Sequence, residues 1–200
     1  DAQAMVDTAD GAYQEVSNML LRMREMAVQA VNGTLSDADR TALNTEMTAL
    51  EAEITKIADN TAFGGINLGT SSAITFQIGA GKDETIAHTF KDFDAASLSL
   101  ISSVATATAA ANTISVVDAA ISLVSTRRGE LGALSNRLSS TIANLDNIAV
   151  NLSSAKGRIQ DTDFATETSN LAKSQIMQQA ATAMLAQANA SKQTVLALIQ

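Results

Sequence analysis

The stretch "ISVVDAAISLVSTRRGELGALSNRLSSTIANLDNIAVNL", residues 114–152, decides the fold because apolar residues recur along it in alternating steps of three and four. This spacing is typical of a helix that packs along other helices. The positions are Ile114, Val117, Ile121, Val124, Arg128, Leu131, Ser135, Leu138, Ile142, Leu145, Ala149 and Leu152. A helix over about 112–160 would be roughly 70 Å long. A helix of that length must lie against other helices.

The amino-terminal region carries a similar apolar series, with methionine at several of its positions. The series is Met5, Ala9, Ala12, Val16, Met19, Met23, Met26 and Ala30. An unbranched thioether fills irregular gaps between helices, so we interpret these methionines as packing residues. Asn32 and Gly33 are typical of a helix end, which predicts a helix over about 1–32.

A second helix is predicted over 37–60. Ser36 followed by Asp39 indicates a capping box, with a carboxylate in the first helical turn. The apolar residues again step by four and three: Leu43, Met47, Leu50, Ile54 and Ile57.

Between about 63 and 93 the apolar residues alternate with polar ones around glycine-rich turns, which predicts a small β-hairpin region. One strand places Ile74, Phe76 and Ile78 on the same face. The other places Ile86, His88 and Phe90 on the same face. The segment 94–113 is rich in alanine, serine and threonine, and we expect a loop that leads into the long helix.

The composition excludes several classes of function. The formal net charge is −8 and the acidic residues are dispersed, which argues against binding to nucleic acid or to anionic membranes. Cysteine is absent, which removes disulfides, thiolate catalysis and sulfur-bound metals. No apolar stretch approaches the roughly 18 residues of a membrane-spanning helix, so no membrane insertion is predicted.

Three features could in principle carry chemistry, and each has a simpler interpretation. His88 is the sole histidine and is interpreted as an ordinary strand residue. The pairs Asp37/Asp39 and Asp161/Asp163 lack the remaining ligands of a calcium loop and are interpreted as helix caps. The glycines before Lys82 lack the spacing of a phosphate-binding loop and are interpreted as a turn. We therefore predict no cofactor and no enzymatic activity.

Three stretches resemble bacterial flagellin. Residues 20–68, "LLRMREMAVQAVNGTLSDADRTALNTEMTALEAEITKIADNTAFGGINL", resemble its amino-side helical block. Residues 76–86, "FQIGAGKDETI", resemble its β-hairpin segment, and residues 127–200 resemble its carboxy-side block. The resemblance covers most of the chain and is weakest at about 94–113.

The resemblance implies a mainly α fold: an elongated, antiparallel, coiled-coil-like helical rod over 1–161, with the β-hairpin region, followed by the carboxy-terminal helix of the inner filament domain over 162–200. It implies a structural subunit of the bacterial flagellar filament that is exported by the flagellar type III apparatus, lies outside the cell and serves swimming motility. Compared with the family, the chain is expected to lack the amino-terminal block and the large outer domains.

The resemblance also implies partners and contact residues. The partners are other flagellin subunits, the flagellar export chaperone, cap and junction proteins, and the innate immune receptor for flagellin. Subunit or receptor contacts are expected at Arg22, Met26, Glu46, Leu131 and Arg137. Inner-tube or chaperone contacts are expected at Ile176, Met184, Leu185, Val195, Leu196 and Leu198, because the tail has an apolar stripe without a partner inside the chain.

Two alternatives remain at this point. A hook–filament junction protein would share the terminal helices of flagellin. A flagellin-derived surface protein that binds a ligand or carries an enzyme would need an inserted domain, and the sequence contains no HExxH motif.

Overall fold

The computed structural model describes residues 1–100, 103–160 and 163–199, with the backbone alone for 193–199. Its elements in chain order are α1 (Ala2–Val31), α2 (Asp37–Asn60), β1 (Ala62–Phe63), β2 (Ile66–Asn67), β3 (Ser72–Gln77), β4 (Thr85–Phe90), α3 (Ala107–Gln160) and α4 (Phe164–Ile199). The mainly α fold, the β-hairpin region and the carboxy-terminal helix are confirmed.

The helix bounds agree closely with the sequence predictions except at the start of α3. This helix begins at Ala107 rather than near 112, because Thr106 caps it and alanines with high helix propensity follow. The Thr106 hydroxyl oxygen accepts a hydrogen bond from the Ala109 amide at 3.1 Å.

The chain divides into two compact units, Asp1–Asp146 and Asn147–Gln200. The division falls within α3. The predicted domain boundary at 161–162 lies outside the described residues and stays a prediction.

The first unit has its core between α1, α2, α3 and the β-hairpin. The buried side chains of α1 are Met5, Val6, Ala9, Tyr13, Val16, Leu20, Met23, Met26, Ala27 and Ala30. This stripe is wider than the predicted series, and Ala12 and Met19 are only half-buried. The buried stripe of α1 is wide because the helix packs against two others. It contacts α2 through Arg22 and α3 through Gln3.

Both neighbours of α1 run antiparallel to it. On the α3 side, the Gln3 amide donates to the Ser135 hydroxyl at 2.8 Å, and Arg128 Nε donates to Asp10 Oδ1 at 2.8 Å. Arg128 and Ser135 are the two residues that interrupt the apolar series of α3. The interruptions are therefore matched by polar partners on α1, and such matches specify register between packed helices.

The turn between α1 and α2 is held by Arg40, a buried residue that the sequence analysis did not identify. Its guanidinium donates hydrogen bonds to three carbonyl oxygens, those of Ala30, Asn32 and Leu35, at 3.0, 2.9 and 2.8 Å. Carbonyls at a helix end lack partners within the helix, so a cation there satisfies them. The predicted capping box at Ser36 and Asp39 starts α2.

Two antiparallel hairpins follow α2. The short pair β1–β2 turns through Gly64 and Gly65, whose φ values of 58° and 83° favour glycine. In the longer pair, Ile74 lies opposite His88 and Phe76 lies opposite Ile86. The predicted inward faces are confirmed: burial alternates along β3, and in β4 Ile86 and Phe90 are buried and His88 is half-buried.

The hairpin is joined to the helices by an aromatic contact. The rings of Tyr13 and Phe93 lie 4.5 Å apart, and the Tyr13 hydroxyl donates to the Lys91 carbonyl at 2.8 Å. Burial raises the pKa of Tyr13 to about 12, so this hydroxyl remains a donor at physiological pH.

Within the described part of the helical region Ala107–Lys192, one 18-residue window is apolar enough, with a mean hydropathy of 1.5, to match a membrane span by composition. The expectation that no stretch would approach this length was therefore too strict. This match is weak evidence for a membrane, because core helices pass the same test.

Candidate functional site

The apolar series of α3 continues beyond Leu138, the last of its residues that is buried in the core of the first unit. Leu138 is 4% exposed, whereas Ile142 is 53% exposed and Leu152 is 68% exposed. We call the exposed continuation the uncovered seam and define it as Ile142, Leu145, Ala149 and Leu152. The same seven-residue pattern therefore has two states of burial along one helix.

The second unit has no buried side chain among its described residues, 147–160 and 163–192. The predicted tail contacts Ile176, Met184 and Leu185 are all exposed, as are Phe164 and Leu171. The side chains of the remaining predicted contacts, Val195, Leu196 and Leu198, lie outside the described residues.

Exposed apolar area on this scale favours association. Each large apolar side chain that becomes fully buried contributes about 1.5–3 kcal/mol, and contiguous apolar surface on a soluble protein typically marks an interaction site. The uncovered seam and α4 each have the exposed apolar side chains typical of a helix-packing surface.

The structure brings Arg22 and Glu46 together, as two of the five predicted contact residues of the first unit. Arg22 Nε and Nη2 donate to Glu46 Oε1 at 3.1 and 2.9 Å, and Glu25 lies 3.4 Å from Nη1. The hydrogen bond to Glu46 raises the pKa of Arg22. Both side chains remain about half exposed, so the pair stabilises the fold little and is accessible to a partner.

Met26 and Leu131, by contrast, are not surface residues. Met26 is fully buried in the core, and Leu131 is 2% exposed. A direct contact through either side chain would require the core to open. In the subunit both residues therefore have a packing role, and their contact role stays a prediction.

Arg137 is exposed but lies far from the Arg22–Glu46 pair. Arg24 pairs with Asp118 at 2.6 Å, and Gln3 pairs with Ser135, so Arg22 and Arg137 lie near opposite ends of the α1–α3 pairing. At 1.5 Å per residue, this places them roughly 25 Å apart along the helices. The five predicted residues do not form one cluster.

Arg137 instead lines a shallow cavity of about 360 Å³ beside β4, together with His88, Lys91 and Glu130. His88 is a strand residue, as predicted, and its ring lies edge-on to Phe90 with centroids 4.9 Å apart. Burial lowers the pKa of His88, while Glu130 opposes that shift. The ring is therefore mainly neutral at pH 7.

The other features weighed for chemistry have structural roles. The Gly81 amide donates to Glu84 at 2.8 Å in the turn that leads to β4, which confirms the turn interpretation. Asp163 accepts from the Ala165 and Thr166 amides and caps α4, and these hydrogen bonds lower its pKa. Asp161 lies outside the described residues. Within the described residues, no group of three or more His, Asp or Glu could hold a metal ion.

Comparison with protein families gives two matches that together span most of the chain. A family described as the bacterial flagellin N-terminal helical region matches residues 1–70, and one described as the bacterial flagellin C-terminal helical region matches residues 114–199. A flagellin from Halalkalibacterium halodurans is 40% identical over 208 residues, covering 100% of this chain and 75% of the relative.

Solved structures give the same result. The crystal structure of Bacillus cereus flagellin superposes with a TM-score of 0.66 at 31% identity, covering 78% of this chain and 92% of the other. A structure assigned as a flagellar hook-associated protein from Vibrio parahaemolyticus has a TM-score of 0.64 at 15% identity, covering 78% and 86%. The second likeness shows the fold alone.

Proposed function

Because this chain belongs to the bacterial flagellin family and is a structural subunit of the extracellular flagellar filament, we propose that the uncovered seam and α4 are the surfaces through which it packs against other subunits. The observation that carries this proposal is the change from a buried to an exposed apolar series at Leu138. Nothing in the pattern itself changes there, so the seam still requires apolar cover.

The mechanism is the transfer of apolar side chains from water into helix–helix contacts. The covered part of the series stabilises each subunit, and the uncovered part becomes buried when subunits join. Each buried leucine or isoleucine contributes about 1.5–3 kcal/mol. In a helical polymer the same contact recurs at every subunit, so this stabilisation repeats along the filament.

We further propose that α4 is the segment that a flagellar export chaperone, cap or junction protein holds. The support is its exposed apolar side chains, which need cover before the filament forms. Recognition by the innate immune receptor is proposed at the Arg22–Glu46 pair, which is accessible, with Arg137 as a separate contact. Met26 and Leu131 would support this recognition only by holding α1 and α3 in place.

A catalytic function is not part of this proposal. Flagellins form a structural family, and the titratable groups discussed above serve as helix caps, ion pairs and strand residues. An activity screen with the purified chain is therefore expected to find no turnover.

The packing proposal is tested by a charge placed on or beside the uncovered seam. Leu152→Asp puts a carboxylate on the seam, whereas Asn151→Asp puts the same charge one residue away, about 100° around the helix. We expect the Leu152 variant to lose polymerisation in sedimentation and electron microscopy while the Asn151 control polymerises. Normal filaments from the Leu152 variant would contradict the proposal.

A hook–filament junction protein is the second candidate. The likeness to the Vibrio hook-associated structure extends to the fold alone, whereas both helical regions match flagellin. The flagellin assignment therefore stands. Electron microscopy of the polymer distinguishes the two, because a junction protein forms a short terminal layer instead of a long filament.

A further inference from the structure

The methionines of this chain fall into two groups by exposure. The chain has seven, and in the first unit Met5, Met23, Met26 and Met47 are at most 6% exposed, while Met19 packs partly buried against the core. In α4, Met177 is 62% exposed and Met184 is 71% exposed. Only these two thioethers are freely open to solvent.

Met177 and Met184 also share a position on the helix. They are seven residues apart, a spacing that returns to nearly the same face of an α-helix. Ile176 and Leu185 lie directly beside them in the sequence and are exposed as well. A residue next in sequence lies about 100° around the helix, so Ile176 and Leu185 flank the two sulfurs on either side and widen the exposed apolar surface that we assign to subunit packing.

We propose that Met177 and Met184 are an oxidation-sensitive site that controls assembly, with hydroperoxides as the oxidant. This inference rests on the proposed packing role of α4. With hydrogen peroxide, a sulfur lone pair attacks one oxygen and the O–O bond breaks; the hydroxyl bound to sulfur gives its proton to the departing hydroxide, which leaves as water. Methionine loses two electrons and becomes the sulfoxide, and hydrogen peroxide is reduced.

The sulfoxide opposes assembly because it is polar where the unmodified thioether is apolar. Its oxygen is a strong hydrogen-bond acceptor, and burying it between apolar helices without a donor is unfavourable. The core methionines are shielded by the fold. Met177 and Met184 are open in the free subunit and become covered in the filament, so oxidation blocks assembly when it precedes polymerisation.

The test treats the whole chain with hydrogen peroxide, removes the oxidant and locates the sulfoxides by peptide mass spectrometry. We expect sulfoxide first at Met177 and Met184, and the subunit concentration needed for polymerisation to rise about tenfold or more. The double variant Met177→Leu/Met184→Leu is expected to polymerise equally with and without peroxide. Met19→Leu is the matched control and is expected to remain sensitive.

A second measurement avoids variants altogether. Treatment of the oxidised chain with methionine sulfoxide reductase is expected to restore polymerisation. The inference is overturned if chains carrying both sulfoxides polymerise like untreated chains, or if the double leucine variant is inhibited to the same extent. If the untreated chain does not polymerise at all, the packing proposal itself falls, and this inference with it.

Discussion

The two parts of α3 share one apolar pattern and differ in what lies against it. From Val117 to Leu138 the series is buried or half-buried, and from Ile142 onward it is exposed. The seven-residue repeat therefore predicts that these residues are buried against apolar side chains, but it does not indicate whether those belong to the same chain or to another. We propose that assembly supplies the cover for the second part.

The largest expected effect is a difference in the free energy of unfolding when the same substitution, leucine to aspartate, is made in each part of α3. Leu138→Asp buries a carboxylate in the core of the first unit and is expected to lower the free energy of unfolding by about 3–5 kcal/mol. Leu152→Asp changes an exposed residue and is expected to alter it by less than about 0.5 kcal/mol. Thermal and urea unfolding of the monomer measure both. Equal destabilisation by the two variants would contradict the difference in burial between the two parts of α3.

A smaller effect on stability is expected when the amino-terminal caps of α2 and α4 are removed. Ser36→Ala removes the hydroxyl that accepts from the Asp39 amide at 3.2 Å, and it is expected to cost roughly 1 kcal/mol of global stability. Asp163→Ala removes a cap from α4, whose described side chains, up to residue 192, are all exposed. We expect it to reduce the helical circular dichroism signal while the main unfolding transition stays unchanged.

The Ser36 cap also predicts a pH dependence. Hydrogen bonds from Ser36 lower the pKa of Asp39, so the unfolded chain binds this proton more readily than the folded one. The contribution is present above the ordinary aspartate pKa and is lost as the pH falls through the lowered value, below about pH 4. Ser36→Ala should weaken this dependence in acid unfolding curves, and an unchanged curve would contradict the assignment.

The smallest effect concerns the polar match between α1 and α3. A double-mutant cycle with Asp10→Ala and Arg128→Ala is expected to give a coupling energy below about 1 kcal/mol, because both side chains are partly exposed. The main role of the Asp10–Arg128 pair is to specify the register of α1 against α3. We expect the combined loss of this pair and of Gln3–Ser135 to broaden the unfolding transition, whereas a sharp transition would show that apolar packing alone sets the register.

Much of the first unit could be predicted from the sequence because its signals are local. The capping residue Ser36, the helix end at Asn32 and the alternation in β3 and β4 each act within a few residues, and the structure confirms all three. The apolar series of α3 predicted cover along its whole length to Leu152, whereas the structure shows it only as far as Leu138.

The register of α1 on α3 was present in the sequence but was not recognised. Gln3 and Asp10 are seven residues apart, as are Arg128 and Ser135, and the two sets pair in antiparallel order. A search for polar residues with matching heptad spacing would have found this. The role of Arg40 could not be found in this way, because its three acceptors are backbone carbonyls that carry no sequence signal.

The candidate contacts stay predictions, and the structure gives the burial in the subunit of those whose side chains it describes. Met26 and Leu131 were assigned as contacts through the family resemblance, although both also belong to the apolar series that predict packing, and the structure buries them. How completely a helix residue is covered depends on tertiary packing with two neighbouring helices, which the resemblance alone does not give. The exposed pair Arg22–Glu46 joins α1 and α2 and also needed the tertiary fold.

Amide hydrogen exchange tests the central claim most directly, because it reports cover at every residue of α3 in the monomer and in the polymer. In the isolated subunit we expect slow exchange along α3 to about Leu138, fast exchange at 147–160 and in α4, and slow exchange in all of these regions after polymerisation. Strong protection at 147–160 and in α4 of the isolated monomer, unchanged by polymerisation, would contradict the account.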